Sequence, residues 1–280
     1  MVLIYILVSV VAAILIMPVW AEILRMVGHT QTNYQGRATV QSMGGMFAFV
    51  FLVSAAWARI ADLVSADVLG RALILISGLG VLGFVDDIYG DHKVKGFGGH
   101  FYALVMRGEV TTGLMKALGG FFVCIWAIAG LPGMFPLIIW RAVLVALSAN
   151  LLNLFDLRPG RALKGFFFLA LFYIWQVPFE EGILLLFPFL ITSFVFLPWD
   201  LATKGMLGDV GSNMLGGVLG LAIVLTAPAG FQVLYMTLLI ASHILAERMS
   251  LTKIIADNSV LRFIDSLGRT EWEKYHKQED

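Results

Sequence analysis

Polar positions divide this chain into a series of apolar blocks. Windows long and apolar enough to cross a bilayer fall at about 2–20, 44–64, 68–85, 113–131, 134–152, 165–179, 182–199, 213–228 and 231–247. Each predicts a transmembrane helix. The expected fold is therefore all-α: a polytopic transmembrane helix bundle of about nine spans within residues 1–247, then a cytoplasmic or membrane-surface tail at 248–280. The first window has no basic residue ahead of it and no small-x-small cleavage site, so it reads as a retained span. In the tail, Asn258 is placed to cap a short helix ending at Gly268, with Val260, Leu261, Ile264 and Leu267 on one face. Such a helix lies on the membrane surface or packs against the bundle.

Composition supports the pattern. With 59% hydrophobic and 14% charged residues, the chain is too apolar for an ordinary soluble domain. A formal charge of zero leaves no basic field for nucleic acid, so charge must act locally. Of the 19 lysines and arginines, all but Arg59, Arg71 and Arg141 fall on one side when loops are sorted by parity. By the positive-inside rule that side is cytoplasmic, with the N-terminus outside and the C-terminus inside a plasma membrane. The polar stretches 28–44, 86–112, 150–164 and 200–213 and the tail from Glu247 then share the cytoplasmic face. Any chemistry is expected there. The single cysteine, Cys124, excludes an internal disulfide and a cysteine-rich metal site. No internal repeat is visible, and Arg141 is the main charge within a span, which weighs against a lipid or ion transporter.

The candidate chemistry is acidic. Asp86 and Asp87 adjoin at the end of an apolar run, where two neighbouring carboxylates repel unless a cation or donors compensate them. Oxygen ligands of this kind suit Mg²⁺ or Mn²⁺; a solvated helix end capping the next loop is the competing reading. Asn150, Asn153 and Asp156 recur every three residues on one helical stripe at the end of the fifth span. Their side chains could meet phosphate, nucleobase or a metal's waters, or simply bond between helices. Arg158, Arg161 and Lys164 follow, as phosphate partners or as topology charges. Gly208, Asp209 and Ser212 lie in GMLGDVGSN at the start of the eighth span, where small residues and a helix N-terminus favour an anion.

Four stretches, taken together, resemble the polyprenyl-phosphate N-acetylhexosamine-1-phosphate transferase superfamily. GFVDDIYGDHKVKGFGG is similar to its Asp-Asp loop with the lysine segment after it, NLLNLFDLRPG to its Asn-x-x-Asn-x-x-Asp-Gly motif, LGDVGSN to its Gly-Asp-x-Gly-Ser loop, and TVQSMGG to its Pro-Thr-x-Gly-Gly segment. The resemblance implies attack of a polyprenyl phosphate on the β-phosphate of a UDP-sugar, with Mg²⁺, release of UMP, and a homodimer in the bilayer. It implies Asp156 as the metal ligand, with Asp87 beside it, and Asp86 or Asp87 orienting or deprotonating the lipid phosphate. Asn153 and Asp209 would contact the nucleotide, while Lys95, Arg158, Arg161 and Lys164 would neutralise phosphate. The chain departs from the family at Pro159, where a second acid is usual, and in the last loop, where His243 stands without a histidine cluster and Arg248 is either the candidate diphosphate partner or a plain topology charge. These departures keep open a relative that binds polyprenyl phosphate or a nucleotide sugar without turnover.

Overall fold

The computed structural model describes residues 1–33, 35–90 and 112–269. Its principal elements are the helices α1 (Val2–Met26), α2 (Gly45–Ile60), α3 (Ala66–Tyr89), α4 (Thr112–Ile128), α5 (Phe135–Phe155), α6 (Arg161–Gln176), α7 (Glu181–Leu201), α8 (Gly208–Thr226) and α9 (Ala229–Arg248). Two short helices, α10 (Leu251–Asp257) and α11 (Ser259–Ser266), close the described chain. Each of the nine apolar windows coincides with one long helix. Six of these, α1, α3, α5, α7, α8 and α9, have the length and hydropathy to cross a membrane. The remaining three, α2, α4 and α6, have 16, 17 and 16 residues.

Consecutive helices run up and down, as their end contacts show. At one end Ser65 Oγ donates to Glu181 Oε2 (2.7 Å), and Arg71 Nη1 donates to the carbonyls of Ala127 (3.1 Å) and Ala129 (2.7 Å). Arg141 belongs to this end too. It lies in the second turn of α5 and donates to the Pro132 carbonyl (2.8 Å), so it is a boundary charge rather than one deep in a span. At the opposite end the termini of α3, α5, α7 and α8 meet around the polar loops.

Helix α8 is the axis of the bundle, and nearly all of its side chains are buried. It is buried all round because it is apolar all round, broken mainly by glycines that let neighbouring backbones approach. A Cβ on Gly216 would strike the Ser148 carbonyl of α5, and one on Gly83 of α3 would lie 2.6 Å from Val210 Cα. Both are closer than atoms can pack.

The segment 28–44 departs from the all-α expectation. Thr30–Thr32 and Ala38–Val40 pair as antiparallel strands β1 and β2, in register Thr30 with Val40 and Thr32 with Ala38. The turn between them is built by Asn33, whose Oδ1 accepts from the N–H groups of Gln35 (2.9 Å) and Arg37 (3.0 Å). The hairpin then docks on the α7–α8 loop: Met206 N donates to Val40 O (2.8 Å), Met43 N to Met206 O (3.0 Å) and Gly44 N to Leu207 O (2.9 Å). Apolar-window reading passes over pieces this short, because three-residue strands carry no period to detect.

Candidate functional site

A cavity of about 430 Å³ opens where these loops and helix ends converge. Asp86, Asp87, Asp156, Asp200 and Asp209 all line it, with Asn153 and Arg158. The five acids come from four places in the chain: the last turn of α3, the residue ending α5, the end of α7 and the first turn of α8.

Asp87 is the structural pin. Its Oδ2 accepts from Ser42 Oγ (2.6 Å) and Val210 N (3.4 Å), and its Oδ1 from Gln41 Nε2 (3.1 Å) and Asp209 N (2.9 Å). The first N–H groups of a helix have no partner within it, so a carboxylate from α3 caps α8 and complements its dipole. Gly208 opens that turn at φ +75°, and a Cβ there would lie 2.6 Å from Asp87 Oδ2. Glycine is required on both counts. Ser42 itself sits at φ +60°, a conformation a serine adopts at a cost. It is held there from three sides: His29 Nε2 lies 2.8 Å from its Oγ, Trp20 Nε1 donates to its carbonyl (3.1 Å), and its hydroxyl donates to Asp87.

Asp86 and Asp209 share one cation. Lys116, in the second turn of α4, donates to Asp86 Oδ2 (3.2 Å) and to Asp209 Oδ2. Asn153 completes this group. With its amide nitrogen towards Asp209 it donates to Asp209 Oδ1 (2.8 Å) and Ser212 Oγ (3.2 Å), while its oxygen accepts from Lys116 (3.1 Å). The reverse orientation sets like against like. Ser212 is fully buried and its hydroxyl also reaches the Gly208 carbonyl (3.1 Å).

Asp156 is in a different electrostatic position. Burial pushes its carboxyl well above the ordinary aspartate range, and the carboxylates of Asp200, Asp209 and Asp87 push it the same way, against one favourable N–H from Gly208. Asp200, 4% exposed, accepts from Gly160 N (2.7 Å) and so ties the end of α7 to the start of α6.

The structure therefore gathers Asp86, Asp87, Asn153, Asp156, Arg158, Gly208 and Asp209 around one cavity, with Ser212 behind them. It separates others from it. Arg161 is 7% exposed and its guanidinium grips Asp265 through Nε (2.8 Å) and Nη2 (3.0 Å). Lys164 Nζ donates to the carbonyls of Ile264, Asp265 and Leu267. Both expected phosphate partners are thus committed to the tail. Asn150, a turn before Asn153, and Arg248, exposed at the end of α9, do not line the cavity. Lys95 lies outside the described residues. Sequence reading missed Lys116, Gln41, Ser42 and Asp200 as site residues. Lys116 enters the sequence pattern only as one of the cations sorted by loop parity, and Asp200 only as the first residue of the polar stretch 200–213.

Among the described residues no three carboxylates stand close enough to ligate one ion as they are. The donor set is nevertheless all oxygen, and Asp156 faces three further carboxylates, which is the chemistry a hard divalent cation relieves. No family model matches the chain, and no curated protein is significantly similar to it.

Proposed function

We propose that the chain is a membrane-embedded transferase that moves a sugar-1-phosphate, of N-acetylhexosamine type, from a UDP-sugar to polyprenyl phosphate. In this reaction a lipid phosphate oxygen bonds to the β-phosphorus of the nucleotide sugar. The bond from that phosphorus to the bridging oxygen breaks, UMP leaves with the electron pair, and a polyprenyl-diphospho-sugar remains. The observation that carries the reading is the acidic cavity at the loop end of the bundle, with Asp156 buried among other carboxylates. Phosphoryl transfer depends mainly on positioning and charge neutralisation, and an acidic site of this kind needs a cation to receive a diphosphate.

Mg²⁺, or Mn²⁺ in its place, would be held by Asp156 and would neutralise charge developing on the transferring phosphoryl. Mg²⁺ is commonly held by one or two carboxylates together with substrate phosphates, so a ready-made three-carboxylate group is not required. Asp87 has both oxygens engaged by four donors. Its role is to position α8, and the metal role falls to Asp156. Asp86 stands at the cavity with Lys116 beside it, where it can orient the lipid phosphate. Arg158 lines the cavity and supplies the positive charge that Arg161 and Lys164 do not. In this reading the six long apolar helices with α2, α4 and α6 make nine spans, and the cavity faces the cytoplasm.

A second reading has its own observation. Lys116 is already shared between two acids, and Pro159 lines the cavity where the resembled family has an acid, which suits a protein that binds polyprenyl phosphate or nucleotide sugar without turnover. One assay separates them: UMP release by purified protein with undecaprenyl phosphate, Mg²⁺ and a panel of UDP-sugars. The transferase releases UMP with one donor, and EDTA abolishes it. Asp156→Asn lowers the rate at least about a hundredfold, as loss of a metal ligand should. Silence across the panel from protein that retains the lipid phosphate overturns turnover and leaves binding.

A further inference from the structure

Helix α11 has two faces of different character. Its start is set by Asn258, whose Oδ1 accepts from Val260 N and Leu261 N (3.0 Å each). One face is bound to the bundle. Asp265 is 8% exposed, gripped by Arg161 Nε and Nη2 and by Arg269 Nη2 (2.8 Å), and Lys164 holds the carbonyls at the helix end. The other face carries Val260, Leu261, Phe263, Ile264 and Leu267, each between 42% and 64% exposed. Those positions fall within one arc of about 160° at 100° per residue, pointing away from Asp265.

What covers that face is indicated by where the helix is tied. Lys164 belongs to a stripe of α6 at spacing i, i+4, i+7, i+11, whose next members are Phe168, Leu171 and Trp175, exposed by 71, 63 and 80%. Such a stripe on a bundle of membrane-spanning helices faces lipid. Phe168 lies about 6 Å along the axis from Lys164, so α11 sits one turn beyond the lipid-facing surface. Lys253, exposed on the adjoining α10, is a cation that complements anionic headgroups.

We infer that α11 lies in the headgroup–acyl boundary of the bilayer, apolar face towards lipid, latched to the bundle through Asp265. The latch bears on the cavity wall. Arg269 Nε donates to the Pro159 carbonyl (3.0 Å), and Pro159 lines the cavity. The bilayer surface is thus one side chain from the proposed site, although the inference does not depend on what that site does.

The test uses the full chain with Cys124→Ala, carrying Phe263→Cys labelled with an environment-sensitive fluorophore, in vesicles of phosphatidylcholine and phosphatidylglycerol. Arg262→Cys, on the opposite side of the helix, is the comparison. Blue-shifted emission at 263, quenched several-fold more strongly than at 262 by lipids spin-labelled near the headgroup, is the expected result. Quenching by a water-soluble agent alone places the helix in water, and a blue shift untouched by either quencher means another protein surface covers it. Either outcome overturns the inference, and Leu261→Cys repeats the measurement should Phe263→Cys fail to fold.

Discussion

Asp156 and Asp265 show how two aspartates in one chain are shifted in opposite directions from the ordinary carboxylate value. Burial raises Asp156, and three carboxylates add to the rise, so the folded state binds a proton more tightly than the unfolded chain does. Fold stability should therefore fall as pH rises from the ordinary aspartate value of about 3.9 through the raised one. A divalent cation should suppress that fall and release a proton on binding, which thermal unfolding in detergent with and without Mg²⁺ across this window will read. At Asp265 burial opposes the charge, but the Arg161 and Arg269 guanidiniums outweigh it and the carboxyl is held below the ordinary range. The unfolded state then binds the proton more tightly, so the stabilisation is present above about 3.9 and is lost as pH falls below that value and through the lowered one. Asp265→Ala leaves Arg161 buried with one partner gone, at a cost of about 3–5 kcal/mol to the docking of the tail. Amide exchange over residues 259–266 should accelerate accordingly while that of α8 stays slow.

Two elements owe their placement to contacts made far away in sequence. The start of α8 is capped by a carboxylate from α3, so Asp87→Ala should lower thermal stability by about 1.5–3 kcal/mol, the range for hydrogen bonds to a charged group. Exchange at residues 209–212 should rise with it. Gly44 and Gly211 meet backbone to backbone, and a Cβ on Gly44 would overlap the Gly211 Cα. Gly44→Ala therefore separates the β2 turn from α8 and costs about 1–3 kcal/mol, the usual penalty of overpacking. Ser42 should lose its hold on Asp87 in the same variant. If the melting temperature of Gly44→Ala in detergent equals that of the unchanged protein, the close approach is not a constraint.

The bundle as a whole separates two ends of different chemistry. The far end carries Arg59, Arg71 and Arg141, each bonded locally to an acid or a carbonyl, and the near end carries the acidic cavity. Single cysteines at Asp62 and Thr203, on a Cys124→Ala background, should label from opposite sides of an oriented vesicle with a membrane-impermeant maleimide. Labelling of Thr203→Cys from the cytoplasmic side is the expected orientation, and labelling from outside would reverse it.

The positions of the nine long helices among the described residues, and of the tail helix, are readable from the chain, because a bilayer-length apolar run or an Asn-capped amphipathic turn is a local signal. So was the grouping of Asp86, Asp87, Asp156 and Asp209 on one face, since helix parity alone brings alternate loops together. Parity does not say which side chains meet. Arg161 and Lys164 look like phosphate ligands by proximity to Asp156, yet a carboxylate and three carbonyls of the tail take their charge. Lys116 looks like a topology marker, yet it bridges two acids separated by over a hundred residues. Only packing decides such pairs: a buried charge is stable beside whichever partner the fold delivers, and that partner is set by helix rotation and close glycine contacts. The same holds for Asp87, whose four donors come from two distant segments, 41–42 and 209–210, and make it the pin that fixes the start of α8.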